Sequence, residues 1–263
     1  MQFNVSQLFV STFIIHIIDT FAYSVRLNSV KSRQFALSNT FFNLFYLVSL
    51  AAHTLQAPLI GGLMDISLNQ RSDPLPAMRK VIWIATLGVF VGILLTPSFL
   101  RFFSKAVKSL ERSGSVPSVV MHTLRPGNVR KFFWNVTLPS KSMVNTLPFR
   151  KVPGELMALN AFVTGLYTVG VMSAFYATLL VNAQHRLAAS ASAGIINSAA
   201  NIILMLFVDP KSSIITDQAL KGNRPYEDVK ALVVMLIGSK LAGTLMGQVL
   251  LIPVAHVIAI IYK

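Results

Sequence analysis

The sequence predicts an all-α polytopic membrane protein, a single integral domain (1–263) with six transmembrane helices, and three observations predict it. Hydrophobic residues make up 54% of the 263 and charged residues only 12%, about half the charged share of a soluble domain. Apolar runs such as VIWIATLGVFVGILLTPSFL (81–100) and TLMGQVLLIPVAHVIAIIY (244–262) reach the roughly 20 residues needed to cross a hydrocarbon core of about 30 Å. Similar runs recur along the whole chain, so the mean hydropathy of +0.63 does not come from one anchor.

The first span, about 4–25, has no basic leader and no small-residue cleavage site, so it is expected to stay as a helix. Inside it, FIIHIIDTFAYSVRL (13–27) sets His16, Asp19, Tyr23 and Arg26 at spacings of three and four, which makes one polar stripe on an apolar rod. The second span, about 36–63, carries Asn39, Asn43, Tyr46 and His53 along one side, with Gln56 just before Pro58. The third covers about 80–103, the fourth 155–181, and the fifth 188–208 with Asn197 and Asn201 one turn apart. The sixth, about 230–261, holds Lys240 followed by Thr244 and Gln248 at spacings of four, and a Gly243/Gly247 pair that reads as a close-packing device. The second and sixth are long for one crossing, so tilt or a break near Pro58 or Pro253 is expected.

Between the third and fourth spans, Arg101, Lys105, Lys108, Arg112, Arg125, Arg130, Lys131, Lys141, Arg150 and Lys151 face a single acid, Glu111. Short basic loops resist translocation, so this loop (104–150) is expected in the cytoplasm and both termini outside. Of the 23 Lys and Arg, seventeen then lie inside, five (Arg71, Arg79, Lys80, Arg186, Lys263) outside, and Lys240 within the sixth span. Arg101, Lys105, Lys108 and Arg112 recur at three and four, opposite Phe102, Phe103, Val107 and Leu110. That pattern suggests an amphipathic interfacial helix in the headgroup layer, drawn to anionic lipids by about 1 kcal/mol per basic residue. No recognition module accompanies the cations, so nucleic acid is not the expected partner.

An offset of 154 residues pairs Phe21 with Phe175, Ser24 with Thr178, Asn28 with Asn182, Lys31 with His185, Ser38 with Ser192 and Asn43 with Asn197. With three helices per unit the second unit enters the membrane inverted. A 3+3 inverted repeat is the build of many alternating-access transporters.

Charges deep in a bilayer cost about 2.5–3.5 kcal/mol on insertion scales and usually face a cavity or a partner. Asp19 and Lys240 are the opposite charges deepest in the spans, and they are expected to face one cavity as an ion pair. A purely architectural pair is the competing reading, as a buried neutral imidazole is for His16, which with Asp19 forms the candidate coupling or charge pair. Arg26, with Lys31 and Arg33 in the next turns, can grip phosphate, although snorkelling to the headgroups is its simpler role. Lys240, Asn43 and Gln248, on the polar faces of their spans, complete the candidate binding residues. There is no cysteine, and no His-Glu-x-x-His, nucleophile elbow or P-loop. Neither an enzyme, a metal site nor a cofactor is expected.

The stretches IIHIIDTFAYSVRLNSVKSRQFAL (14–37), FFNLFYLVSLAAHTLQAPLIGGLMD (41–65) and AFYATLLVNAQHRLAASASAGIIN (174–197) resemble the Amj family of alternate lipid II flippases, most specifically in IDTFAYSVRL and LQAPLIGGLMD. The resemblance implies a transporter of the bacterial cell membrane. Its substrate would be lipid II, undecaprenyl-diphosphate-MurNAc-pentapeptide-GlcNAc, moved from the inner to the outer leaflet for peptidoglycan synthesis. It brings no residue roles with it. The residues by themselves leave open a secondary exporter of a small anionic or amphipathic molecule, and a membrane scaffold for cell-wall enzymes. So large a headgroup also makes a homodimer worth testing.

Overall fold

The computed structural model describes residues 5–33, 35–123, 125, 127–128, 130 and 134–262. Lys131, Lys263 and the side chains of Ser38 and Asn39 lie outside the described set. Six helices are long and apolar enough to cross a membrane: α1 (Val5–Ser32), α2 (Phe35–Asn69), α3 (Leu75–Ser113), α4 (Gly154–Ala177), α5 (Ala183–Leu220) and α6 (Tyr226–Ile261). The chain is thus a multi-pass membrane protein. By the order of the six helices, α3 ends and α4 begins at one end of the bundle, the loop end, while α1 begins and α6 ends at the other.

Five of the six helices outrun the hydropathy-based spans by several residues at one or both ends, because polar turns continue the helix once nucleated. α3 is the extreme case, 39 residues or about 58 Å at 1.5 Å per residue. Its final turns hold the Arg101–Arg112 cations on their exposed side. Their apolar side, Phe103, Val107 and Leu110, is buried with Val25, Phe41 and Val119, so protein covers it rather than lipid. The connecting loop straps back onto α3: Thr137 N–H donates to Ser98 Oγ at 2.7 Å, and Arg101 donates to Thr137 Oγ1.

Of the two expectations for the long spans, tilt or a break, no break occurs: α2 and α6 run through Pro58 and Pro253. The irregular helix is α5. It contains a short 3₁₀ turn (Ala183–His185), helical pieces Arg186–Ala191 and Ala193–Ile203, a π-helical stretch Leu204–Val208, and a last piece Asp209–Leu220. Pro210 lacks an N–H and would press on the carbonyl one turn earlier. The widened π turn before it relieves that clash, so α5 continues where Asp209-Pro210 reads as a stop.

In each half the first and third helices pack along their lengths, α1 on α3 and α4 on α6, while the second is peripheral: α2 leans on α1 and α5 on α4. Two glycine pairs permit this. A Cβ at Gly88 would lie 2.7 Å from the Phe13 carbonyl oxygen, and one at Gly92 2.8 Å from Thr20 Cβ. At Gly243 it would run into the Ala161 carbonyl oxygen, and at Gly247 it would sit 3.1 Å from Val169 Cγ1. Since lipid is as apolar as Leu, such close backbone approach is what binds helices in a membrane. Gly243→Val is therefore expected to cost at least the roughly 1–3 kcal/mol of an overpacked site. Gly238, which has nothing within 4 Å of a Cβ, should accept alanine with a gain of about 0.5–1 kcal/mol. Thermal melts of the two purified variants check this.

Candidate functional site

The polar stripe of α1 folds onto one wall of a cavity of about 110 Å³ between the two halves. His16, Asp19, Tyr23 and Arg26 all line it, because spacings of three and four return to the same helix face. α2 contributes Phe42, Phe45, Tyr46 and Ser49; α4 contributes Thr164, Tyr167 and Thr168; α5 Asn201, Leu204 and Asp209; and α6 Lys240. Its volume holds several waters.

Midway along α1, Asp19 is the hub. Its Oδ2 lies 3.5 Å from Lys240 Nζ and 3.2 Å from His53 Nε2, while Ser49 Oγ donates to Oδ1. The side chains are 14% exposed for Asp19 and 6% for Lys240, so this is a buried pair and not a solvated one. Lys240 Nζ also stands 5.6 Å over the Tyr23 ring, a favourable place for an ammonium with little water. Tyr23 is held from behind: its hydroxyl donates to Asn160 Oδ1 at 3.0 Å, and Asn160 Nδ2 donates to the Leu236 carbonyl at 3.0 Å and to Ser239 Oγ at 2.8 Å. Asn160→Ala would strand these groups and should cost about 1–3 kcal/mol; a melt of the variant beside wild type measures it.

Two turns along α1, about 10 Å away, Arg26 Nη2 donates to Asp209 Oδ1 at 2.8 Å, and its guanidinium lies 5.7 Å over the Phe42 ring. Arg26 thus touches both α2 and α5. The cavity holds two cations, each matched by one carboxylate. His16 meets the His53 ring edge-on at 5.8 Å, and its Nδ1 is buried with no hydrogen-bond partner. His53 meets Tyr167 edge-on at 4.9 Å, and Tyr167 and Asn201 both line the cavity.

Four of the eight candidate residues do not reach the cavity. Lys31 and Arg33 are exposed at the loop end of α1, which Arg33 terminates with a left-handed φ of 55°. Asn43 is exposed, since one residue from Phe42 means a rotation of about 100° on the helix. Gln248 donates to the Arg79 carbonyl at 3.0 Å near the opposite end. A spacing of four drifts about 40° per step, so two steps from Lys240 carry it off the cavity face. Asp209, Ser49, Asn160 and Tyr167 escaped sequence reasoning. Ser49 carried a usable signal, one turn before His53 on the same side of α2. Asp209 was masked by the proline after it.

Comparison with known proteins bears on what such a cavity serves. A family model described as Amj, "Alternate to MurJ", matches residues 11–262. A protein of Bacillus subtilis (strain 168) named lipid II flippase Amj is 36% identical over 255 residues, covering 95% of this chain and 93% of the relative. No solved structure matches.

Proposed function

The chain belongs to the Amj family, and on that premise we propose that it is a lipid II flippase of the bacterial cell membrane, a transporter and not an enzyme. It carries the undecaprenyl-diphosphate-linked precursor from the inner to the outer leaflet. The supporting observation is the pair of cation–carboxylate contacts that α1 makes across the cavity, Arg26 with Asp209 of α5 and Asp19 with Lys240 of α6.

A diphosphate in a membrane needs cations, yet bare cations in an empty cavity are costly. Pairing each with a carboxylate solves both problems: the resting site is balanced, and an arriving phosphate exchanges with the carboxylate as counter-ion. The loop end is the cytoplasmic end in this reading, and the termini lie outside. Lys31 and Arg33 then form an outer rim that attracts the anion. Arg26 receives it first, Lys240 takes it at mid-membrane, and Asp19, with His16 and His53 beside it, is the charge partner left behind. The exposed cations of the α3 extension face anionic headgroups.

A cavity of about 110 Å³ is far smaller than a disaccharide pentapeptide, so its walls part during transport. The two glycine pairs support a 3+3 inverted repeat as the frame for that motion. Gly88 and Gly92 seat α3 on α1 as Gly243 and Gly247 seat α6 on α4, one residue out of step with the 154-residue offset. The working unit is a monomer in this reading, and a homodimer in the membrane is the alternative to wall movement.

The test is replacement of the lipid II flippase in bacteria depleted of their own. Growth and normal cell shape are expected with this chain. Lysis despite correct membrane insertion would end the proposal and favour a small-anion exporter or a scaffold. Deletion of 104–150 separates those two, since it removes a scaffold's recruiting surface and leaves an exporter's cavity.

A further inference from the structure

We propose that the seam between α2 and α5 is the lateral entrance through which the diphosphate head of a polyprenyl lipid reaches the cavity while its chain stays among the bilayer lipids, and that Asp209 is the anion it displaces from Arg26. The direction of movement rests on the flippase reading, whereas binding in the seam does not.

Four observations converge on it. First, α2 and α5 are the outermost helices: 17% of the most apolar window of each is buried, against 39–61% for the other four. Second, among the described residues no hydrogen bond, ion pair or ring contact joins α2 to α5. α2 is tied to α1, through Ser49 and His53 on Asp19 and through Gln56 Nε2 donating to Thr12 Oγ1 at 2.6 Å. α5 is tied to α1 through Asp209 and to α4 through Lys211, which is ion-paired with Glu155. The two can separate without breaking a polar contact between them.

Third, Arg26 stands behind this seam, stacked on Phe42 of one wall and paired with Asp209 of the other. An anion coming sideways out of the bilayer meets that guanidinium first. Phe42, Phe45 and Leu204 line the cavity beside it, and their apolar surfaces suit a hydrocarbon chain. Fourth, the π-helical stretch Leu204–Val208 ends at Asp209. A π turn is a local change of hydrogen-bond register at which a helix can bend. Ser212, Ile215, Thr216 and Ala219 keep the part of α5 beyond it packed, so a change of register on release of Asp209 would swing the largely exposed part before it outward.

The ligand chemistry is a long-chain polyprenyl diphosphate, from the complete precursor or from the bare carrier. The full chain in nanodiscs would be photolabelled with a polyprenyl diphosphate bearing a diazirine in its chain, and the labelled peptides mapped. Label is expected in α2 and in the π region of α5, and not on the outer faces of α3 and α6 at Trp83 or Ile260. Lipid II or bare undecaprenyl diphosphate should compete, the stronger competitor identifying the source, while uncharged undecaprenol should not. Loss of a charge-assisted contact should make Arg26→Ala weaken half-saturation about tenfold or more. Asp209→Asn removes the competing anion and should tighten it.

Uniform labelling of every lipid-facing helix, or equal competition by undecaprenol, would overturn the proposal. So would weakening in Asp209→Asn as deep as in Arg26→Ala, with both variants melting like wild type. Because the chain has no cysteine, Tyr46→Cys/Leu204→Cys can also be bridged by a cleavable bis-maleimide. Bridging should stop lipid II flipping in proteoliposomes and cleavage should restore it; unimpeded flipping by bridged protein would sink the seam as entrance. Anion-selective labelling of the seam without flipping by wild type would end the flippase reading and leave the binding site standing.

Discussion

Lys240→Ala and Asp19→Ala are each expected to abolish lipid II flipping and to destabilise the protein, whereas Asp19→Ala/Lys240→Ala should regain stability and remain inactive. The pair is buried midway along α1, so removing one member strands the other's charge at a cost of about 3–5 kcal/mol. Removing both leaves no orphan charge, and replacement of a whole buried pair is often neutral or stabilising. Transport should not follow stability, since the diphosphate has then lost its mid-membrane cation. Lys240→Arg keeps a cation and should retain part of the activity. Melting temperatures and flipping rates of the four variants check this together. A double variant that is stable and active would make Asp19 and Lys240 architecture only.

The second large effect is at Arg26. Arg26→Ala should lower flipping by at least about tenfold, from loss of a charge-assisted phosphate contact. Exchange of the pair, Arg26→Asp/Asp209→Arg, keeps the ion pair and the tie between α1 and α5 but moves the cation from α1 to α5. We expect it to fold like wild type and to transport poorly, because the guanidinium no longer stands on α1, two turns from the Asp19–Lys240 pair. If the exchanged protein flips lipid II at the wild-type rate, the position of this cation carries no weight in transport.

Six spans and the α1 stripe were readable in the sequence because both are periodicities. Runs of about 20 apolar residues have no soluble explanation, and His16, Asp19, Tyr23 and Arg26 return to one face whatever packs against it. The Asp19–Lys240 contact followed from the cost of leaving either charge alone in lipid. What stayed hidden depends on local irregularity or on the partner surface. Asp209 precedes a proline and reads as the end of α5, until the π turn carries the helix through. Gln248 reads as cavity-facing on a spacing of four, yet α6 turns it toward Arg79. The loop-end extension of α3 shows its cations in sequence, but not that Phe41 and Val119 cover its apolar side. The roles of Gly88 and Gly92 become visible only once α1 lies against them.

The most direct measurement is a proteoliposome assay with the purified full chain. Labelled lipid II is placed in the leaflet facing the loop end, and its arrival opposite is scored with a membrane-impermeant reagent, for wild type beside Asp19→Ala/Lys240→Ala. Arrival that depends on wild-type protein and is absent with the folded double variant is the expected result. No arrival with folded wild type under an applied potential, or equal arrival with the double variant, would contradict a flippase whose path runs between Asp19 and Lys240.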